Sequence, residues 1–307
     1  MRTRVLYNAH AGGAGALDLE RLRAVPDVEL VDCRGPADTI EAAAAAGPDG
    51  VALVVAAGGD GTVHLTANGL MRAGDSAETR PALGVLPCGT GNDLARTLAL
   101  PLGRHAVPAL EALRQGERRT VDVIRVSHPN DGDALTTYAI NACAGGFSGA
   151  VDEAMTSEMK AAWGPLAYLV GAARALPDLD AFRVRLTVDD GPEETLDAFN
   201  VVVANARTAA GGKPIAPRAN PEDGRLDIVV VKASASFPLL AARLLAGDYL
   251  DDDGVAFRRA RRVRVDATPG MWFNVDGELR TDEPVTFEAV PAALRVCVGP
   301  DYRADPV

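Results

Sequence analysis

The chain has 307 residues, 48% of them apolar, and a formal charge of -11. This length is more than one ordinary core accommodates, so two globular domains are expected. The acidity excludes a general nucleic-acid binder, which neutralises phosphates with a basic face. The opening residues lack the apolar stretch of roughly seven or more that an export leader needs, and the longest apolar run, residues 51–57, falls far short of the ~20 that span a bilayer. These features predict a cytoplasmic protein with no integral membrane segment and leave transient visits to a membrane surface open.

In chain order, residues 4–8 read as a strand that breaks into a glycine-rich loop, and Leu17, Leu19 and Leu22 begin a helical stretch. Residues 29–32 suggest a second strand, 37–46 an alanine-rich helix, and 51–56 a fully buried third strand ending at glycine. A helix over 66–73, a strand over 82–87 and a helix over 92–99 continue the alternation, which implies a parallel sheet with helices on its faces. Beyond residue 120 the pattern turns to strand-length runs: 120–126, 136–143, 182–188, 198–205, 226–232, 261–265 and 271–275. Helical spacing interrupts them at 166–176 and 237–249, and the final strand, 293–298, suits either domain. The fold class expected is therefore an N-terminal doubly wound α/β nucleotide-binding domain, residues 1–121, and a β-rich domain, residues 122–290. Residues 291–307 are read as a segment returning to the first domain. Cys33, Cys88, Cys143 and Cys297 form no CxxC pair and read as reduced, mostly buried thiols.

The third strand delivers Gly58-Gly59-Asp60-Gly61-Thr62 to the carboxyl edge of the sheet, where open α/β folds bind ligands. Glycines let backbone amides approach phosphate oxygens, and a helix start adds partial positive charge. Asp60 can act on magnesium or on a proton. After the next strand, Gly89-Thr90-Gly91-Asn92-Asp93 is a second phosphate-compatible turn, in which Asp93 also suits a helix cap. Asn8-Ala9-His10-Ala11-Gly12-Gly13 is a third. His10 and His64 read as satisfied loop histidines.

These motifs, in their order and spacing, resemble the diacylglycerol kinase catalytic family, specifically its soluble bacterial lipid-kinase branch, related to sphingosine and ceramide kinases and more distantly to NAD kinases. The resemblance continues through residues 86–96, 141–147, 164–168 and 216–227 and ends with Asn274-Val275-Asp276-Gly277-Glu278. It implies ATP and Mg2+ as cofactors, a β-sandwich second domain, and a lipid hydroxyl, of diacylglycerol or a relative presented at a membrane surface, as acceptor. A homodimer stays open. Nucleotide contacts are implied for Asn8, Gly12, Gly58, Gly59, Gly61, Thr62, Gly89, Thr90 and Asn92. Glu278 is implied as general base, with Asp60, which takes that part in sphingosine kinases, organising magnesium and water. On chemistry alone Glu278 is a hairpin residue after a type I′ turn. Asp223 with the Arg225 backbone carbonyl is implied to hold a structural metal, linked by water to Asp122, although both aspartates also suit turn or strand-end roles.

The chain departs from the family pattern in three places. Leu65, after His64, stands where a glutamate is common, Ala9 replaces proline, and residues 209–213 lose polar residues that precede the glycines in relatives. The basic cluster at residues 258–264 reads as an arginine-flanked edge strand or, less favourably, a lipid contact. Two further functions are carried: a kinase for a soluble acceptor such as NAD, against which residues 86–96 stand, and a catalytically silent lipid- or nucleotide-binding regulator.

Overall fold

The computed structural model describes the chain except residues 10–16, 103–105, 129–135, 147–180, 210, 237–239, 241, 244–246, 282–283 and 307. Two compact units emerge: Met1–Val123 with Pro291–Asp305, and Ile124–Val290.

In the first unit β1 (Thr3–Tyr7) pairs in parallel with β2 (Val28–Asp32) and with β3 (Leu53–Gly58), and β3 pairs in parallel with β4 (Ala82–Pro87). The helices are α1 (Leu19–Arg23), α2 (Pro36–Ala44), α3 (Asp60–Leu70), α4 (Asp93–Thr97) and α5 (Ala106–Gln115). Near-continuous apolar strands such as Leu53 to Ala57 are what a parallel sheet covered on both faces requires, and all five residues are buried. Arg4, the second residue of β1, is a buried charge in this sheet. Its guanidinium is buried but donates to Glu29 at 2.9 Å, Asp49 at 2.7 Å and the Ala42 carbonyl at 2.9 Å, so the charge is paired.

Two helices differ from expectation. α3 begins at Asp60, six residues before the expected start, because Gly59 takes an extended N-cap conformation and the glycine run behind it conceals the helix. α5 was not anticipated, although Ala106, Leu110 and Leu113 lie at helical spacing on its buried face.

β5 (Arg118–Ser127) carries the chain into the second unit, where β6 (Thr137–Ala139), β7 (Ala142–Gly146), β8 (Phe182–Val188), β9 (Glu193–Ala204) and β10 (Leu226–Lys232) follow. β11 (Val255–Ala260), β12 (Arg262–Thr268), β13 (Phe273–Val275), β14 (Glu278–Thr281) and β15 (Val285–Cys297) complete it. The twelve-residue β9 serves three antiparallel partners, β8 along its first half and β7 and β10 along its second. Period-two alternation then builds two cores: Val201, Val203, Ile228 and Val230 face one, with Phe273 and Phe287, while Val202, Val229 and Val231 face the other, under Ile215, Tyr249 and Leu250. β10 is apolar from Ile228 to Val231 because both of its faces are covered there.

The strand expected over 136–143 is two strands, broken at Ile140–Asn141, whose amides turn to a side chain described below. β15 is longer than expected and serves both units. It pairs antiparallel with β12 through Val263↔Phe287 and then parallel with β4 through Val296↔Leu83. The helix expected over 166–176 lies outside the described residues, as does much of that over 237–249. No helix among the described residues is long and apolar enough to cross a membrane.

The α2–α3 crossing depends on Gly69, where a Cβ would run into the Ile40 carbonyl and lie 2.5 Å from Ala43 Cβ. Alanine improves helix propensity by ~1 kcal/mol, but overpacking costs ~1–3 kcal/mol. Gly69→Ala is therefore expected to lower the midpoint of chemical denaturation, and an unchanged or raised midpoint would contradict this packing.

Candidate active site

The parallel register Gly58↔Pro87 brings the ends of β3 and β4 side by side, so the two glycine turns they feed are neighbours. Asp60 joins them. Its Oδ2 accepts the Asn92 N–H at 2.8 Å and its Oδ1 the Asp93 N–H at 2.7 Å, so the first turn of the five-residue α4 is capped by a side chain from the start of α3. Asn92 sits in the left-handed region (φ 53°, ψ 43°), and its carboxamide grips Gly89, accepting its N–H at 3.0 Å and donating to its carbonyl at 2.7 Å. The glycines are steric necessities. A Cβ on Gly89 would lie 2.5 Å from Gly59 Cα, and one on Gly91 2.5 Å from Asp60 Oδ2.

Gly59, the N-cap of the eleven-residue α3, has no side chain with which to cap its first turn. Such a terminus presents amide donors and partial positive charge to an anion. Gly58, Gly59, Gly61, Thr62, Gly89 and Asn92 are partly exposed and Thr90 exposed, so the cradle is accessible. Asn8 follows β1, and the adjacent Ala9 N–H donates to Asp32 at 3.2 Å; Gly12 lies outside the described residues.

His64 is a helix rather than a loop residue, buried one turn into α3 against Asn68, which donates to the His64 carbonyl at 2.9 Å. Leu65 is buried in the apolar interior of the unit, which accounts for an apolar residue at that position.

In the second unit Glu278 opens β14 directly after a two-residue turn. Asp276 (φ 50°) and Gly277 (φ 102°) both have positive φ and Val275 pairs with Glu278, as a type I′ hairpin requires. Asp276, which the motif by itself does not mark as a site residue, has a buried side chain that organises the surroundings. Its carboxylate accepts N–H groups from Ile140 at 2.8 Å and from Asn141 and Ala142 at 3.0 Å each. The signal for it was the Asp-Gly pair, read for turn type and not for what the aspartate holds.

Asp223 closes its own turn, accepting the Arg225 N–H at 2.9 Å. Nearby Asp227 is buried, and burial raises its pKa while the hydrogen bond from Arg259 Nε, 2.8 Å to Oδ1, opposes the shift. Arg259 also lies 3.8 Å from Asp223. Asp227 Oδ2 is buried with no hydrogen-bond partner. An oxygen-only set with an unfilled acceptor suits a hard cation or an ordered water. Among the described residues no three His, Cys, Asp or Glu side chains gather to hold a metal, so a cation here would draw on backbone carbonyls. Asp122, in the first unit, is buried and accepts the Ala292 N–H at 2.8 Å, where β15 kinks through a positive φ of 48°.

The basic cluster is divided between β11 and β12. Arg258 pairs with Glu194 at 3.0 Å and Arg259 with Asp227, so acidic neighbours take up two of its charges. Among the described residues β11 pairs only with β10, but β12 lies between β8 and β15 and is no edge strand. The four cysteines are free, and burial pushes each thiol pKa up, which keeps them protonated and unreactive at neutral pH.

A half-exposed helix N-terminus cradled by two carboxylate-braced glycine turns on a parallel sheet, in a chain with an antiparallel sandwich-like unit, defines a two-unit phosphate-handling protein. The family model described as the diacylglycerol kinase catalytic domain matches residues 2–126, and that described as the YegS C-terminal NAD kinase beta sandwich-like domain matches residues 141–298. The chain is 32% identical to a probable lipid kinase YegS-like of Pectobacterium atrosepticum, over 80% of this chain and 78% of the relative. It is 31% identical to a diacylglycerol kinase of Bacillus subtilis, over 74% and 71%. Its fold is that of a diacylglycerol kinase from Bacillus anthracis (TM-score 0.68, 21% identity, 98% of each chain) and, more distantly, of an NAD kinase from Archaeoglobus fulgidus (TM-score 0.52, 17% identity, 97% and 93%). The chain belongs to the diacylglycerol kinase catalytic family, with its YegS-like lipid kinases, and is a kinase.

Removing the Asp60 carboxylate strands the α4 amides. Asp60→Ala is expected to cost ~0.5–2 kcal/mol, as cap losses do, measured by chemical denaturation. Gly89→Ala is expected to weaken nucleotide binding more than stability, because it parts the two turns; calorimetric titration showing wild-type affinity would refute that close approach.

Proposed function

We propose that the protein transfers the γ-phosphate of ATP, with Mg2+, to a hydroxyl of diacylglycerol or a related lipid, working from the cytoplasm and visiting a membrane surface transiently. The observation that carries this reading is the bridge from Asp60 to the Asn92 and Asp93 amides, which welds two glycine turns into one cradle at the N-terminus of α3. The residue types fit a nucleotide's phosphates: close backbone amides at Gly58, Gly59, Gly61 and Gly89, and hydroxyls at Thr62 and Thr90. Asn8 is a further contact in this reading, as is Gly12, which lies outside the described residues, and Asn92 acts by shaping Gly89. Bound Mg2+ and ATP supply the transferable phosphoryl group and screen its charge.

The chain's own work is then to orient the cofactor and to remove a proton. Asp60 keeps the cradle in register and orients magnesium and water. Glu278 takes the proton of the acceptor hydroxyl. Asp223 and the Arg225 carbonyl would hold a structural cation, supplying the oxygen ligands that a hard cation prefers.

Glu278→Gln is expected to lower kcat by about 10²- to 10⁴-fold, the usual worth of a general base, with ATP affinity unchanged. A variant at wild-type rate would remove Glu278 from that role. Acceptor identity is read by transfer of labelled phosphate to a panel of lipid alcohols. NAD belongs in the panel because the sandwich unit matches an NAD kinase-like domain; phosphorylation of NAD in place of any lipid would overturn the lipid reading. The cation is tested by thermal unfolding: Mg2+ should raise the wild-type midpoint over that in EDTA, and Asp223→Asn should lose most of that rise.

A further inference from the structure

We infer that Asp276 is a positioning residue that sets the register of the hairpin presenting Glu278. The inference rests on the reading of Glu278 as general base. β13 is laddered to β7 through Phe273↔Gly145, Asn274↔Ala144 and Val275↔Cys143, but β14 is only four residues long and its pairing with β13 already shifts between Phe273 and Asn274, so that ladder by itself specifies the register of β14 weakly. In a strand a slip of one residue exchanges the two faces. A hairpin this short that must present one particular carboxylate needs an outside reference.

Asp276 provides it. Its backbone N–H donates to the Ala142 carbonyl at 3.0 Å, and its side chain accepts from Ile140, Asn141 and Ala142. Oδ2 takes one amide and Oδ1 two, so the plane of the carboxylate is fixed as well as its place. The amides of Ile140 and Asn141 are available because the chain breaks between β6 and β7 there, which makes the break a socket for the turn. Asn274 Oδ1 accepts the Gly277 N–H at 2.6 Å and closes the turn from its other side. Four hydrogen bonds thus hold the residue two positions before Glu278, at a φ of 50° that few non-glycine residues adopt.

An asparagine is isosteric but offers a donor where all three contacts need acceptors. Asp276→Asn is therefore expected to turn the carboxamide, release at least one amide and loosen the register. The test compares Asp276→Asn, Glu278→Gln and the double variant by single-turnover transfer of labelled phosphate, with ATP affinity and thermal midpoint measured on each. The expected result is a kcat about 10- to 100-fold lower for Asp276→Asn, the scale of a small misplacement, with unchanged KM for ATP and no further loss in the Glu278→Gln background. A merely structural role would instead give losses that multiply in the double variant, and that result overturns the inference. A folded Asp276→Asn at wild-type kcat, with Glu278→Gln inactive, overturns it while leaving the base reading intact. Glu278→Gln at wild-type kcat removes both. Should Asp276→Asn fail to fold, Gly277→Ala decides: its Cβ meets nothing within 4 Å, but its φ of 102° strains any side chain. A fall in kcat at constant KM then supports the inference, and wild-type kcat overturns it.

Discussion

The nucleotide-binding unit depends on one carboxylate spanning two loops. Asp60 leaves β3, begins α3 and at once accepts the first amides of α4, a helix of five residues that is too short to hold its own shape in isolation. That single contact explains the glycines around it. Loops bound this closely leave no space for a Cβ at Gly89 or Gly91, and Gly59 lies against Gly89. The same closeness requires a glycine at the α3 N-cap, which leaves that terminus without a capping side chain of its own and partly exposed.

The device recurs. Asp276 accepts three amides where β6 gives way to β7, Asp122 accepts the Ala292 amide where β15 kinks, and Asp189 accepts the Arg261 and Arg262 amides between β11 and β12. At each of these points the strand ladder is interrupted, and an aspartate supplies an acceptor for the N–H groups there. Part of the acidic excess thus holds the backbone together. Aspartates that stand out by family motif, Asp60 among them, have this structural duty.

Much of the fold was legible because burial writes a period into the chain. β4, β8 and β10 have the bounds that their apolar runs indicate, and β3 reads as a strand covered on both faces. Legibility failed where the local signal was overridden. Glycine's low helix propensity hid the first six residues of α3, and the break at Ile140–Asn141 has no local cause, since the acceptor lies 135 residues away at Asp276. Leu65 looked like a lost polar function until its burial showed an apolar environment.

The chain by itself determined the elements, the glycine turns and the family, since periodicity, glycine spacing and motif order are local properties carried in the residues. What only the tertiary structure decided is which of these local pieces answer one another. Asp60 answers Asn92 and Asp93 across 33 residues at most, Asp276 answers Ile140 through Ala142, and β15 answers both β12 and β4. Such pairings join unpaired amides to acceptors remote in sequence, and no local pattern encodes them; they arise when strand register brings the loops together.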